Sequence, residues 1–202
     1  MWFAGAMPSP GPRATGLLLA AGAGRRMGGP KALVRSAGGE PWVRRAARAL
    51  HDGGCARVVV VTGAAAESVA ALVEGLPWAD AVVAEDWAEG MGPSLATGLR
   101  TLEGSDTDCA VVGLVDTPDV GPEVVSRVLA AVGTAPTALG RAAYDGVPGH
   151  PVVLGRDHWA GVLTSAAGDQ GARTYLAAHP HELVECADLA TGDDVDVAPR
   201  PR

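Results

Sequence analysis

The sequence predicts an α/β fold, with a mostly parallel sheet covered by helices on both faces, and three observations support this. Short apolar runs bounded by Gly, Pro, Asp or Thr alternate with stretches of helical period. Such alternation implies βαβ units with right-handed crossovers, and hence three layers. The chain has 202 residues, 48% of them hydrophobic, enough to bury one core somewhat above the ~100–150 residues of a common domain.

The elements follow in order. Residues 1–14 carry Pro8, Pro10 and Pro12 without an apolar stretch of signal-peptide length, and are expected to form a flexible leader. Residues 15–202 lack a dividing linker and are expected to form one domain. Buried strands are predicted at 15–20, 57–62, 81–84 and 109–115. Helices are predicted at 41–52, where Val43, Ala46, Ala47 and Leu50 share a face, and at 64–74, 94–102 and 122–132, the last aligning Val125, Val128, Leu129 and Val132. Beyond Gly133 the pattern is less regular, with strands at 137–144, 150–154 and 182–186 around a helix at 169–179. In a sheet of this kind, ligands bind beyond the carboxyl ends of the strands.

Charge and cysteine content exclude several functions. A net charge of -7 and a pI near 5.1 leave no broad basic field, so nucleic acid is not an expected partner. No run of ~18 apolar residues exists to span a membrane. Cys55, Cys109 and Cys186 are widely spaced and form no C-x-x-C pair, so neither a disulfide framework nor a zinc site is expected and a reducing cytoplasm fits. Any phosphate chemistry must rest on a few local cations, and Lys31 is the only lysine in the chain.

That lysine closes a glycine-rich loop, AAGAGRRMGGPK at 20–31, directly after the first predicted strand. Glycines let backbone approach a ligand and turn successive N–H groups toward an anion, and Arg26 and Lys31 add positive charge. A turn serving only the fold is the competing reading. The Walker pattern fails because Lys31 follows Pro30 and precedes Ala32, and the dinucleotide pattern is weak because Arg26 and Met27 fall later and the second strand ends at Thr62-Gly63 rather than at an acid. Asp116 follows the apolar run 109–115, so its carboxylate should emerge at a strand's carboxyl end, where a hard cation could bridge phosphates. Asp116 could equally initiate the Asp-Thr-Pro turn.

The stretch LLLAAGAGRRMGGPKAL at 17–33 closely resembles the signature of MobA-like nucleotidyltransferases, which include molybdopterin guanylyl- and cytidylyltransferases. The likeness continues in EGMGPSL at 89–95, VDTPDV at 115–120, GHPV at 149–152 and GDQGAR at 168–173. The last two segments, with Ala20-Ala21-Gly22, are similar to the cytidylyl-transferring, MocA-like branch. This resemblance implies a Rossmann-like nucleotidyltransferase fold and a magnesium-dependent transfer of CMP from CTP to the phosphate of molybdopterin, with pyrophosphate released. GTP as donor, another phosphorylated acceptor, or a non-catalytic molybdenum-cofactor chaperone serving a molybdoenzyme are the alternatives.

The resemblance implies roles for individual residues. Arg26, Lys31 and Asp116 are the catalytic candidates. Ala20, Ala21, Gly22, Gly24, Arg25, Met27, Gly28, Thr62, Gly90 and Ser94 are assigned to the nucleotide, and Gly149, His150, Asp169 and Arg173 to the acceptor. Asp116 and Asp196 are the expected magnesium ligands, with Asp194 as fallback; Asp196 sits in a degenerate carboxyl-terminal motif, DVDVAP at 194–199. Plainer readings stand beside several of these. Ser94 could cap a helix, Asp169 and Arg173 could form an i,i+4 ion pair, and His150 could be satisfied by backbone. His179-Pro180-His181 reads as a surface turn rather than a metal site.

Overall fold

Seven strands build one sheet in the order β3-β2-β1-β4-β6-β5-β7. In this computed structural model the described residues are 13–166 and 168–196, with the Asp169 side chain left out. The chain runs β1 (Ala14–Leu19), α1 (Trp42–Asp52), β2 (Arg57–Thr62), α2 (Ala66–Val73), β3 (Ala79–Val83), α3 (Met91–Leu102), β4 (Cys109–Leu114) and α4 (Pro122–Val132). It then continues through β5 (Leu139–Tyr144), β6 (Val147–Gly155), α5 (Arg156–Ser165), α6 (Arg173–Ala178) and β7 (Glu182–Glu185). The predicted leader lies outside the described residues up to residue 12. Its last two residues belong to the fold: Arg13 N–H donates to Asp108 Oδ2 at 2.8 Å, and Ala14 opens β1.

The three layers follow from strand alternation. Leu18, Val58, Val60 and Val111 point to one face, where they meet Trp42, Val43, Ala47 and Leu50 of α1, Val69 and Val73 of α2, and Val124, Val125 and Val128 of α4. Leu17, Leu19, Val59, Val61 and Val112 point to the other, against Leu95, Leu99 and Leu102 of α3, Trp159 and Val162 of α5, and Leu176 of α6. A strand covered on both faces is apolar throughout, which is why β1, β2 and β4 read as continuous hydrophobic runs. Gly98 lets α3 lie close on β1, since a Cβ there would sit 2.3 Å from Leu17 Cδ1.

Strands β1 to β4 are mutually parallel, and β7 runs parallel to β5. Strand β6 is antiparallel to both β4 and β5. The β5–β6 hairpin turns on Asp145 and Gly146, both with positive φ (50° and 78°), the turn geometry that an Asp-Gly pair supplies. The structure adds helix α5, which the sequence reading did not predict, and shortens the predicted helix 169–179 to α6. Gly171, at φ 51°, separates the single turn at Gly168–Gln170 from α6. Asp169 and Arg173 therefore do not belong to one helix, and the plainer alternative of an i,i+4 pair loses its helical spacing.

Strands β2 and β3 lie on one side of β1 and β4 on the other, so the order in which strands are added across the sheet reverses at the β1/β4 boundary. The loops after β1 and β4 face each other across that boundary, the place where open α/β sheets hold ligands.

Candidate active site

The loop after β1 is shaped by its own backbone. Gly24 takes φ 56°, and a Cβ there would sit 1.9 Å from Gly29 O, so no other residue fits. Gly24 O accepts from Met27 N at 2.9 Å and Gly29 N at 3.2 Å, closing the turn at Arg25–Met27. Among the described residues the N–H groups of Gly22, Ala23 and Gly24 donate to no protein acceptor. Amides left unpaired in a closed turn form an anion cradle. Buried Ala32, with Met27, Leu33 and Val34 packed on the same core, anchors the far end and fixes where Lys31 leaves the backbone.

Lys31 points at the loop after β4. Its Nζ donates to Asp116 Oδ2 at 2.8 Å and to Asp196 Oδ1 at 2.7 Å, and Arg26 Nη1 donates to Asp196 Oδ2 at 3.0 Å. The turn after β4 is closed by Thr117, whose Oγ1 donates to Leu114 O and whose carbonyl accepts from Val120 N, so the Asp116 carboxylate is directed to Lys31 rather than into turn formation. Burial opposes the charge on Lys31, but the two carboxylates outweigh it and hold the ammonium above its ordinary pKa. The hydrogen bond from Lys31 and its charge hold the Asp196 carboxyl below the usual range.

Two carboxylates converging on one cation are a suitable donor set for a hard divalent ion, which takes one or two carboxylates and completes its shell with water and phosphate oxygens. No cluster of three or more His, Cys, Asp or Glu is present among the described residues, so phosphate oxygens would have to supply part of that shell. Among the described residues Asp194 makes no hydrogen bond or ion pair with this group, whereas Asp196 does.

Between the two loops lies a cleft of about 400 Å³ lined by Ala21 to Arg25, Lys31, Trp87, Ala88, Gly90, Met91, Ser94 and Leu114 to Asp116. The amino end of α3 opens into it, so the positive end of a 12-residue helix joins the loop amides. The helix begins three residues before the predicted start, because Gly90 (φ 122°) turns the chain and Pro93 falls in the first turn, where no donor is needed. Ser94 is accordingly inside the helix. Its Oγ donates back to Gly90 O at 3.4 Å instead of capping. Trp87 supplies the cleft's aromatic wall and is absent from the sequence-based candidates. The signal for it was Gly63, where a Cβ would meet Trp87 Cγ at 2.5 Å and Ala21 O at 2.7 Å.

Other candidates are placed differently. Thr62 is fully buried, and its hydroxyl donates to Val82 O, so it serves the sheet. Ala20 is buried and extends the β1–β2 pairing through Val61 O. Met27 packs on the core, and Gly28 (φ 81°) ends the turn outside the cleft lining.

Of the acceptor-side candidates, Gly149 and His150 lie near the start of β6, with His150 beside Leu114 and close enough to Arg173 to feel its charge. Arg141 Nε donates to Gly149 O at 3.0 Å, and Tyr144 Oη donates to His150 O at 2.6 Å. His150 is pushed down to about 3 by burial and by the charges of Arg141 and Arg173. Burial and the nearby charge of Arg173 also lower the pKa of Arg141, another residue the sequence reading missed. Among the described residues Arg141 has no carboxylate partner. A desolvated, unneutralised arginine beside a second one is an arrangement that favours an anion. The Asp169 side chain lies outside the described residues. His179 and His181 donate to backbone carbonyls, as a surface turn requires.

A glycine-rich loop, an Asp on the loop after β4 and a lysine between them form a recognisable group, and residues 16–183 match the MobA-like NTP transferase domain. The chain belongs to the MobA-like NTP transferase family. Membership implies a nucleoside triphosphate as substrate. Among MobA-like relatives, the chain is 38% identical over 195 residues to nicotine blue oxidoreductase from Paenarthrobacter nicotinovorans, covering 92% of this chain and 93% of that one. The crystal structure of Rv0371c from Mycobacterium tuberculosis H37Rv superposes with TM-score 0.74 at 26% identity, covering 93% of this chain and 95% of that one. A manganese complex of Rv0371c matches at 27% identity and TM-score 0.67, covering 86% and 87%. No helix among the described residues is long and apolar enough to cross a membrane.

Proposed function

We propose that this protein transfers CMP from CTP to the phosphate of a molybdopterin-type acceptor, with magnesium, and releases pyrophosphate. The observation that carries the reading is Lys31, held between Asp116 and Asp196 at the mouth of a cleft lined by the unpaired amides of Gly22 to Gly24. Those amides and the amino end of α3 bind the triphosphate, while Trp87 and Met91 offer an apolar wall to the base. An oxygen of the acceptor phosphate attacks the α-phosphorus in line, and the bond to the bridging oxygen of pyrophosphate breaks. Lys31 and Arg26 stabilise the charge that accumulates on the departing oxygens. A divalent cation on Asp116 and Asp196 would neutralise phosphate charge. No general base is needed, because a phosphate monoester, with a second pKa of about 6, is already ionised at neutral pH. On the acceptor side, Arg141 and Arg173 attract the anion and His150 stays neutral.

The choice of CTP rests on Ala20-Ala21-Gly22 and on the GHPV and GDQGAR segments. Pyrophosphate release from CTP and from GTP, each with magnesium and molybdenum-loaded pterin, tests it. Turnover with GTP alone moves the reading to guanylyl transfer, and tight pterin binding without turnover moves it to a cofactor chaperone.

A second reading is favoured by one observation, the 38% identity to a protein named nicotine blue oxidoreductase. In that reading the amide loop holds the pyrophosphate of a dinucleotide, and the Trp87 wall receives a planar heteroaromatic. Oxidation of NADH or NADPH by nicotine blue, unaffected by Asp116→Asn, supports it over nucleotidyl transfer.

A further inference from the structure

Asp196 reaches Lys31 from a segment far away in sequence and with no regular secondary structure, residues 191–196, so something must hold that segment in place. Two contacts do so, both from the loop after β4. Asp116 O accepts from Val195 N at 2.9 Å. Asp119 Oδ2 accepts three hydrogen bonds: from Thr191 N at 2.6 Å, Thr191 Oγ1 at 2.8 Å and Gly192 N at 3.3 Å. Among the described residues Asp119 Oδ1, by contrast, is buried without a partner. A carboxylate oxygen left unpaired inside a protein opposes folding, so this side chain is tolerated there for what its other oxygen holds.

The path of the segment is as closely constrained as its anchor. Gly192 has φ 69° and crosses the Tyr144 ring so closely that a Cβ would sit 2.1 Å from Cε2. Thr191 Oγ1 also accepts from Asp193 N at 3.2 Å, which bends the chain back toward the site. We propose that Asp119 is a positioning residue: by clamping Thr191 and Gly192 it delivers the Asp196 carboxylate to Lys31, and so fixes the direction of the side chain that faces the glycine-rich loop. Among the described residues Asp119 does not line the cleft and makes no hydrogen bond to Lys31. The inference rests on the proposed nucleotide site only in giving Lys31 its purpose.

The chain's only lysine provides a readout that needs no substrate. Trace acetylation of the full-length protein, followed at Lys31 by peptide mass spectrometry, reports how strongly the carboxylates hold the ammonium. Asp119→Asn is expected to speed acetylation roughly three- to tenfold, as the amine is released from the Asp196 carboxylate, and to match Asp196→Asn. The double variant should react no faster than either single one, since both remove the same contact. Arg127→Ala severs the pair with Asp188 upstream of the segment and should leave Lys31 unchanged.

An unchanged rate in Asp119→Asn, additive singles, or equal acceleration by Arg127→Ala would overturn the proposal. If Asp119→Asn does not fold, Thr191→Val decides: it removes one of the three donors and should give a smaller increase, and no increase refutes the clamp. Failure of CTP turnover would leave this result standing, and failure here would leave the transferase reading standing.

Discussion

Lys31 illustrates how a single side chain takes its character from its neighbours. Burial alone would make the amine easier to deprotonate, but two carboxylates at 2.7 and 2.8 Å reverse that tendency. In the proposed reaction the charge matters most as it redistributes onto pyrophosphate, so Lys31→Ala should reduce kcat by about a hundredfold or more, with KM changed much less. Steady-state kinetics at saturating nucleotide check this, and an unchanged kcat removes Lys31 from the catalytic set. His150 shows the opposite balance. Burial and two arginines depress its pKa from 6.5 to about 3, so below pH 6.5 the unfolded chain takes a proton that the folded protein refuses. Its contribution to stability is therefore complete above pH 6.5 and is lost progressively as pH falls toward 3. His150→Gln should flatten the wild-type decline in Tm between pH 6.5 and 4.5. Parallel declines in the two proteins would show that His150 is freely solvated.

At the scale of elements, the loop after β1 works because one glycine closes it. Gly24→Ala must place a Cβ against Gly29 O and hold a left-handed backbone, which alone costs about 1–2 kcal/mol. It should lower Tm and also abolish nucleotide-dependent stabilisation, which separates damage to the cradle from damage to the core. Gly98→Ala makes the complementary case. It forces α3 away from Leu17, at a cost of about 1–3 kcal/mol, and should lower Tm with the cradle's chemistry preserved. The elements most legible in the sequence were those with the simplest physics. Strands β1, β2 and β4 are apolar because both faces are covered, and their predicted bounds differ from the structure by a residue or so. The second half was harder to read. Strand β6 starts at exposed Val147 and Pro148, so its apolar run is recognisable only from Pro151 onward. Helix α5 buries just Trp159 and Val162, too few apolar positions to show a period. Of the candidate site, Lys31 and Asp116 stood out by position, one closing a glycine-rich loop and the other ending a strand, but only the family resemblance chose a catalytic role over a plain turn. Trp87 and Arg141 did not, since one is marked only by a glycine 24 positions earlier and the other by a charge from α6.

For the molecule as a whole, the site exists because the strand order reverses between β1 and β4. That reversal sets the glycine-rich loop opposite Asp116, and the chain's last described residues return to complete the group, with Asp196 170 positions from Arg26 and 165 from Lys31. Three segments distant in sequence thus meet only in the folded state, so a ligand that bridges them binds the native protein and has little purchase on the unfolded chain. Such a ligand raises stability by RT ln(1 + [L]/Kd), about 2.7 kcal/mol at a hundred times Kd. Thermal melting with CTP, GTP or NADH, each with and without magnesium, should single out one nucleotide. For nucleotidyl transfer, the shift from the triphosphate should grow with magnesium and lose that increment in Asp116→Asn, because the cation joins phosphate to carboxylate. For the redox reading, NADH should stabilise the protein equally with or without magnesium and equally in Asp116→Asn. A triphosphate shift indifferent to both magnesium and Asp116 would leave the loop as a phosphate site but remove the carboxylate pair from the chemistry.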